Sequence, residues 1–195
     1  MMLKQTMCIG GLCEGHIFSD MLNIRTRGPV DNFIAYNFKS TLDLFNGNLF
    51  DAILTDNIIN KEKRETYNSD VDDDQYQRYY CIRDGHWSWN TIHNNFERND
   101  RKELFKKRIN TFNDFKNKLN NENFYLYTIS INDEYLSEND FKYTIDHLPY
   151  YVINNLIVIT GARYRIPKMF YEKFKCIDWN FDITGCILPN VRWVI

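Results

Sequence analysis

The sequence predicts an α/β fold, a single domain over residues 1–195 in which a mainly parallel sheet is flanked by helices in three layers. In the second half, segments typical of strand, helix, strand, helix and strand follow one another, which favours crossover connections between parallel strands. Residues 156–160 form a continuous apolar run, typical of a parallel strand buried on both faces. A chain of 195 residues with 44% hydrophobic content can bury one core without disulfides or metal.

The first elements surround a pair of glycines. Residues 7–10 are a short apolar run that predicts a strand, and residues 14–22 have the pattern of a helix. Gly10-Gly11-Leu12-Cys13 joins the two segments, and Gly28-Pro29 fixes the loop that follows the helix. The chain is therefore predicted to open with a strand, a tight turn and a helix.

The middle of the chain is predicted to contain a helix, a loop and a strand. Ser40-Thr41 has the composition of an N-cap for a helix over residues 42–46. Residues 60–77 are polar and predict an exposed loop, whose acidic cluster lacks the glycine and terminal glutamate of a calcium-binding loop. Residues 79–82 predict a strand, and Asp84-Gly85 predicts a turn.

The second half has the clearest periodicity. Residues 101–119 predict an amphipathic helix, because side chains at three- and four-residue spacing form one stripe. The stripe comprises Leu104, Phe105, Arg108, Ile109, Phe112, Phe115 and Leu119. The other predicted elements are a strand over 124–131, a helix over 140–153 in spite of Pro149, the strand over 156–160 and a last strand over 191–195.

Composition excludes several classes of function. A net charge of -2 provides no broad basic surface, so no nucleic-acid partner is expected. The five cysteines include no Cys-x-x-Cys pair, and no glycine-rich phosphate loop occurs, so neither metal nor cofactor is expected. No run of about 18 apolar residues occurs and no signal peptide is recognisable, so no membrane partner and a cytoplasmic location are expected.

Cys13 is the most informative residue. It directly precedes the predicted first helix, where the positive end of the helix dipole favours the thiolate form of a cysteine. Thiolate is the nucleophilic form, so the position predicts a reactive thiol if an imidazole lies nearby.

Four histidines are available as partners for that thiol. His16 is expected on the helix surface, pointing away from the turn, and His147 has no distinguishing context. His86 lies in a predicted turn flanked by aromatic residues, and His93 shortly precedes the long helix. An unperturbed imidazole titrates near pH ~6.5, so either of the last two suits a general base, and the residues alone do not choose between them.

Several segments together resemble one known family. The Gly-x-x-Cys of residues 10–13 follows a strand, Leu-x-x-Arg is present at 22–25, and Pro29 and Asp31 match two positions of a Pro-Phe-Asp-Trp motif. His93-Asn94-Asn95-Phe96 is similar to a His-Asp-Phe motif that precedes a basic helix and an apolar strand. The family is a group of bacterial domains of unknown function described as papain-like cysteine peptidases. The chain departs from its motifs at Val30, Asn32 and Asn94.

The resemblance implies a catalytic cysteine and histidine. It implies Cys13 as nucleophile and His93 as base, and it favours Asp31 as a residue that lines the site. Asp133 is the other candidate to orient His93, because it follows a predicted strand at the end where α/β folds gather their sites.

The leading hypothesis is a cysteine-dependent hydrolase or acyl-transfer enzyme that acts on an unidentified amide, thioester or ester. A second hypothesis keeps this layout in an esterase-like enzyme acting on acylated carbohydrate, with cysteine in place of serine. A third is a catalytically inactive binding or scaffold domain. No oligomeric state is predicted.

Overall fold

The computed structural model describes residues 5–12, 14–31, 33–45, 49–50, 60–63, 77–83, 86–91, 99–118, 123–161, 165–179 and 191–194. The strands are β1 Gln5–Cys8, β2 Phe33–Ala35, β3 Asn60–Lys63, β4 Gln77–Arg83, β5 His86–Thr91, β6 Asn123–Thr128, β7 Leu156–Gly161, β8 Lys175–Trp179 and β9 Val191–Val194. The α-helices are α1 Glu14–Met21, α2 Thr41–Phe45, α3 Asn99–Asn117, α4 Glu138–His147, α5 Tyr150–Asn155 and α6 Lys168–Lys173. Two short 3₁₀ helices span Phe38–Ser40 and Ile131–Tyr135.

The main sheet has five strands in the order β1-β6-β7-β8-β9. The first four are parallel to one another, and β9 runs antiparallel to β8. β6 and β7 are rich in aromatic and β-branched residues that suit the interior of a sheet covered on both faces. The predicted α/β fold with a mainly parallel sheet is confirmed.

Helices cover both faces of this sheet, which gives the predicted three layers. On one face, a core dominated by aromatic side chains includes Phe112 and Phe115 of α3, Phe141 of α4 and Phe170 of α6. On the other face, Phe18 of α1 joins a smaller apolar cluster. Within the described ranges, no helix has the length and apolar character needed to cross a membrane.

The helix predicted over 101–119 is confirmed as α3. Three phenylalanines of its stripe, at positions 105, 112 and 115, are buried, and Ile109 packs against the same core. Leu104 is 38% exposed, so its predicted place on the buried stripe is wrong. The four buried or packed positions lie at three- and four-residue spacing, and Leu104 falls beside that narrower stripe.

A second sheet was not predicted. Its four strands are antiparallel in the order β2-β5-β4-β3. The exposed loop predicted over 60–77 is wrong at both ends, because Asn60–Lys63 pairs with Gln77–Tyr80. His86 begins β5 and does not belong to a turn, while the turn predicted at Asp84-Gly85 lies outside the described residues. Pairing between distant segments supplies main-chain hydrogen bonds that local polarity does not reveal.

Two predicted helices differ in detail. The helix expected over 140–153 is two helices, because Pro149 has no N–H to donate to the helix and instead occupies the N-cap position of α5. The expected N-cap at Ser40-Thr41 is replaced by Asn37, whose side chain accepts from the Ser40 N–H at 3.2 Å. Asparagine is as good a cap as serine, and here it starts the short 3₁₀ helix that leads into α2.

After α1 the chain returns along the outer edge of β1. Asn23, in the left-handed conformation at φ 53°, ends the helix. Thr6 donates its N–H to Ile24 at 2.9 Å and accepts from Thr26 at 2.8 Å, which places Arg25 against β1 as a parallel bridge. This return brings the segment after α1 alongside the first turn of the helix.

Candidate functional site

Two glycines build the turn at the carboxyl end of β1. Gly10 has φ 127° and Gly11 has φ 83°, both in the region that favours glycine. A Cβ atom at Gly11 would overlap the carbonyl oxygen of Thr128, the last residue of β6. The Gly11 carbonyl also accepts from the Ala35 N–H at 3.0 Å, which ties the turn to β2 of the second sheet.

The start of α1 packs closely on the ends of β1 and β6. A Cβ at Gly15 would lie 2.7 Å from Thr128 Oγ1 and 3.0 Å from Cys8 Sγ. Only a glycine in the first turn lets the helix begin so near the sheet. The positive end of α1 is thereby held at the carboxyl end of the parallel strands, where α/β proteins gather their sites.

The two residues that carry the catalytic hypothesis, Cys13 and His93, lie outside the described residues. In the sequence Cys13 stands between Leu12 of the turn and Glu14, the first residue of α1. His93 follows Thr91, the last residue of β5, by two positions. Their roles stay predictions.

Asp31 is buried in an ion pair. Only 1% of its surface is exposed, and its Oδ2 accepts from Arg25 Nη2 at 2.7 Å. Arg25 also pairs with Asp20 of α1. Burial alone lowers the pKa of Arg25, but the two carboxylates outweigh that effect and raise it. The other oxygen of Asp31, Oδ1, is buried and has no hydrogen-bond partner within the described part of the chain.

This ion pair joins two of the segments on which the family resemblance was based. Arg25 ends the Leu-x-x-Arg segment, and Asp31 is the acid retained from the Pro-Phe-Asp-Trp motif. Arg25 and Asp31 flank the Gly-Pro loop. Their ion pair closes that loop against the edge of β1.

His16 is half-buried against this ion pair, so the expectation of a surface histidine pointing away is wrong. Burial and the Arg25 charge lower the pKa of His16, while the charges of Asp31 and Asp20 oppose them. The cause of the error is the return of the chain along β1, which brings Arg25 and Asp31 over the first turn of α1. Helical periodicity alone gives no sign of that covering segment.

Asp133, the second orienting candidate, is fully buried and surrounded by donors. Its Oδ1 accepts from the Phe38 N–H at 2.7 Å. Its Oδ2 accepts from Tyr127 Oη at 2.8 Å and from both the N–H and the hydroxyl of Ser130 at 3.0 Å. Burial raises the pKa of Asp133, and these hydrogen bonds oppose the rise. The contacts brace the end of β6 against the Phe38–Ser40 turn.

The side chain of His147 has a different environment. It is exposed at the end of α4, its ring stacks on Tyr143 with centroids 4.0 Å apart, and its Nδ1 contacts the Tyr143 carbonyl at 2.8 Å. These contacts are those of a helix-terminal histidine.

In the described ranges, no three side chains of His, Cys, Asp or Glu lie close enough together to hold a metal ion. The candidate site consists of the glycine turn, the start of α1 and the cluster of His16, Arg25 and Asp31. Comparison with family models, with curated proteins and with solved structures finds no match to this chain.

Proposed function

We propose that the protein is a cysteine-dependent hydrolase or acyl-transfer enzyme with Cys13 as its nucleophile. The observation that carries the proposal is the turn at Gly10 and Gly11, which leads from a parallel strand to the start of α1 at Glu14. A thiol next to a helix start gains from the helix dipole, because the dipole stabilises the thiolate. The substrate is an amide, a thioester or an ester.

The reaction follows from this position. The thiolate attacks the substrate carbonyl carbon and forms a C–S bond, while the carbonyl electron pair moves to oxygen. Main-chain N–H groups at the start of α1, at Glu14 and Gly15, are donors suited to the resulting oxyanion. The protonated base gives its proton to the leaving group as the scissile bond breaks, and water or another acceptor then releases the acyl group.

The resemblance assigns the role of base to His93. Asp31 is better suited than Asp133 to orient His93, because Asp31 has a buried oxygen without a hydrogen-bond partner among the described residues. Both oxygens of Asp133 already accept hydrogen bonds.

A reducing, cytoplasmic location is part of the proposal. Cys8 and Cys176 are buried and form no disulfide, as expected of a protein from a reducing compartment. A reduced compartment also keeps a catalytic thiol available for reaction.

The test is selective alkylation of the thiols by iodoacetamide, read peptide by peptide by mass spectrometry. We expect Cys13 to react fastest near neutral pH, and Cys13→Ala to abolish turnover of aryl ester and aryl amide substrates. Cys176 is the internal control, since burial raises its pKa to about 12. Equal, slow labelling of Cys8 and Cys13 would refute the proposal and favour a binding domain.

The same substrate panel separates the two enzyme hypotheses. Turnover of aryl amides supports a peptidase-like activity. Turnover of aryl esters alone supports the esterase-like alternative on acylated carbohydrate, because an ester leaving group departs with less help from a general acid than an amine does.

A further inference from the structure

We infer that a cavity at the amino ends of β6, β7 and β8 is a binding site for a small organic anion with a short apolar chain. The inference goes beyond the proposed function and does not depend on it. It is carried by the walls, the charge and the size of the cavity.

The cavity lies at the opposite end of the main sheet from the candidate site. Phe124 is the second residue of β6, Leu156 begins β7 and Lys175 begins β8, and all three line the cavity. The glycine turn and Thr128 lie at the carboxyl ends of the same parallel strands. Because β6 spans roughly 17–20 Å at the usual rise of a parallel strand, a ligand in the cavity is separate from the candidate site.

Apolar side chains from both faces of the sheet form the inner wall of the cavity. Phe124 and Ile157 belong to the cluster on the α1 face, and Leu156 and Phe174 belong to the aromatic core on the other face. All four side chains are buried, and Ile153 of α5 packs against the aromatic core beside them. The wall is therefore preformed, and an apolar wall of this kind suits a hydrocarbon chain.

The mouth of the cavity is positively charged. It is formed by Asn154 of α5, Lys173 at the end of α6 and Lys175 at the start of β8, all of which are exposed. Among the described residues that line the cavity there is no aspartate or glutamate. The ends of α5 and α6 also lie here, but each contributes at most roughly half a negative charge, so the two ammonium groups leave the mouth positive. A carboxylate suits this mouth, because lysine ammonium groups and an asparagine amide all donate hydrogen bonds.

The size of the cavity sets the length of the chain. Its volume is about 250 Å³. One water molecule occupies about 30 Å³ of the liquid, so the cavity has room for about eight non-hydrogen atoms, the number in hexanoate. The carboxylate of hexanoate matches the charged mouth, and its chain matches the apolar wall.

The test is a titration of the nitrogen-15-labelled full chain with hexanoate at pH 7, followed by two-dimensional NMR. We expect saturable binding in the millimolar range, as suits a ligand of this size. The largest shifts of amide signals should fall on residues 153–157 and 173–175, while Gly10 and Gly11 should stay unchanged. Hexanol should bind about fivefold more weakly because the charge is lost, and acetate more weakly still because the chain is lost.

The exposed positions of the mouth allow variants that leave the core intact. Lys173→Gln combined with Lys175→Gln removes both charges and should weaken hexanoate binding by about tenfold. Asn154→Trp fills the mouth with an aromatic side chain and should abolish binding. Lys142→Gln is the matched control, because Lys142 is exposed on α4 and does not line the cavity, and its affinity for hexanoate should stay within about twofold of wild type.

Four results would overturn the inference. They are the absence of saturable shifts up to about 20 mM hexanoate, shifts centred away from the cavity, hexanol binding as tight as that of hexanoate, and an unchanged affinity in the double lysine variant. The comparison of hexanoate with hexanol and acetate uses the wild type, so it decides the question even if a variant fails to fold. Failure of Cys13 to label preferentially with iodoacetamide would overturn the proposed function and leave this binding site standing.

Discussion

Asp31 and Asp133 are both buried carboxylates, and both follow from the sequence as candidates for the same task. Asp133 accepts four hydrogen bonds, which occupy both of its oxygens. Asp31 has one oxygen paired with Arg25 and one with no partner in the described ranges. Burial therefore does not distinguish a carboxylate with a structural role from one that can still accept a hydrogen bond. The number of hydrogen-bond partners does distinguish them.

The difference originates in the local chain. Asp133 lies in the 3₁₀ helix after β6, where the N–H groups of Ser130 and Phe38 need acceptors. Asp31 lies in a loop that closes over a charged residue, Arg25, and over the first turn of α1. Asp133 is surrounded by neutral main-chain and hydroxyl donors, whereas Asp31 pairs with a cation.

The largest effect is expected at Asp133. Asp133→Ala leaves three buried donors without their acceptor, namely the N–H groups of Phe38 and Ser130 and the Tyr127 hydroxyl. The Ser130 hydroxyl can still donate to the Tyr36 carbonyl at 2.9 Å. Each lost hydrogen bond costs about 1–3 kcal/mol before the site relaxes. We expect the free energy of unfolding, measured by urea denaturation, to fall by about 3 kcal/mol or more.

Asp146→Ala is the matched control for that change. Asp146 is exposed on α4, and its removal should alter the free energy of unfolding by about 0.5 kcal/mol or less. A loss at Asp133 no larger than the loss at Asp146 would contradict the bracing role.

The second effect tests the available carboxylate. Asp31→Asn keeps the size of the side chain and removes the negative charge that raises the pKa of the His16 ring. Arg25 and burial then act with less opposition, so the pKa of His16 should fall further below its ordinary value. Titration of the His16 ring by NMR measures the change, and loss of the Arg25 pair should cost about 2 kcal/mol of stability.

Arg25→Lys is the control for the Asp31 variant. It preserves the positive charge near His16 and gives up only the planar geometry of the guanidinium. The pKa of His16 should change much less than in Asp31→Asn. A rise in the His16 pKa in Asp31→Asn would show that the aspartate does not act on the ring through its charge.

The central strands β6 and β7 of the main sheet could be predicted because local composition identifies them, whereas β8 was not predicted. Residues 156–160 form an apolar run, and residues 123–128 are rich in aromatic residues. Each of these two segments therefore predicts a strand without reference to the segments with which it pairs. The antiparallel sheet could not be predicted in this way. Its strand β2 is three residues long, and its pairing with Trp89–Thr91 depends on a segment more than fifty positions away.

The candidate site likewise has one part that local composition predicts and one part that it does not. The glycine turn and the start of α1 follow from local composition, and the role of Asp31 in the site stays a prediction. The burial of His16 could not be predicted, because it depends on the return of residues 24–26 along β1. One signal was available, since Arg25 and Asp31 flank the Gly-Pro loop with opposite charges.

The smallest effect removes a single donor from Asp133. Tyr127 is fully buried and packs edge-on against Phe38, with ring centroids 5.2 Å apart, and its hydroxyl donates to Asp133 at 2.8 Å. Tyr127→Phe keeps the ring and leaves Asp133 three donors. We expect a loss of about 1.5 kcal/mol in the free energy of unfolding at pH 7, the low end of the net value of one hydrogen bond to a charged group.

This loss should depend on pH in a defined direction. The folded pKa of Asp133 is raised above its unfolded value, about 3.9, so the folded state holds its proton longer and stability falls as pH rises through the interval between the two values. The Tyr127 hydroxyl lowers that folded pKa, because it stabilises the carboxylate more than the acid. Tyr127→Phe should therefore raise it, and the variant should lose more stability relative to wild type at pH 7 than at pH 4. Urea denaturation at both pH values measures the difference, and an equal loss at the two would show that the hydroxyl does not discriminate between the charged and neutral forms of Asp133.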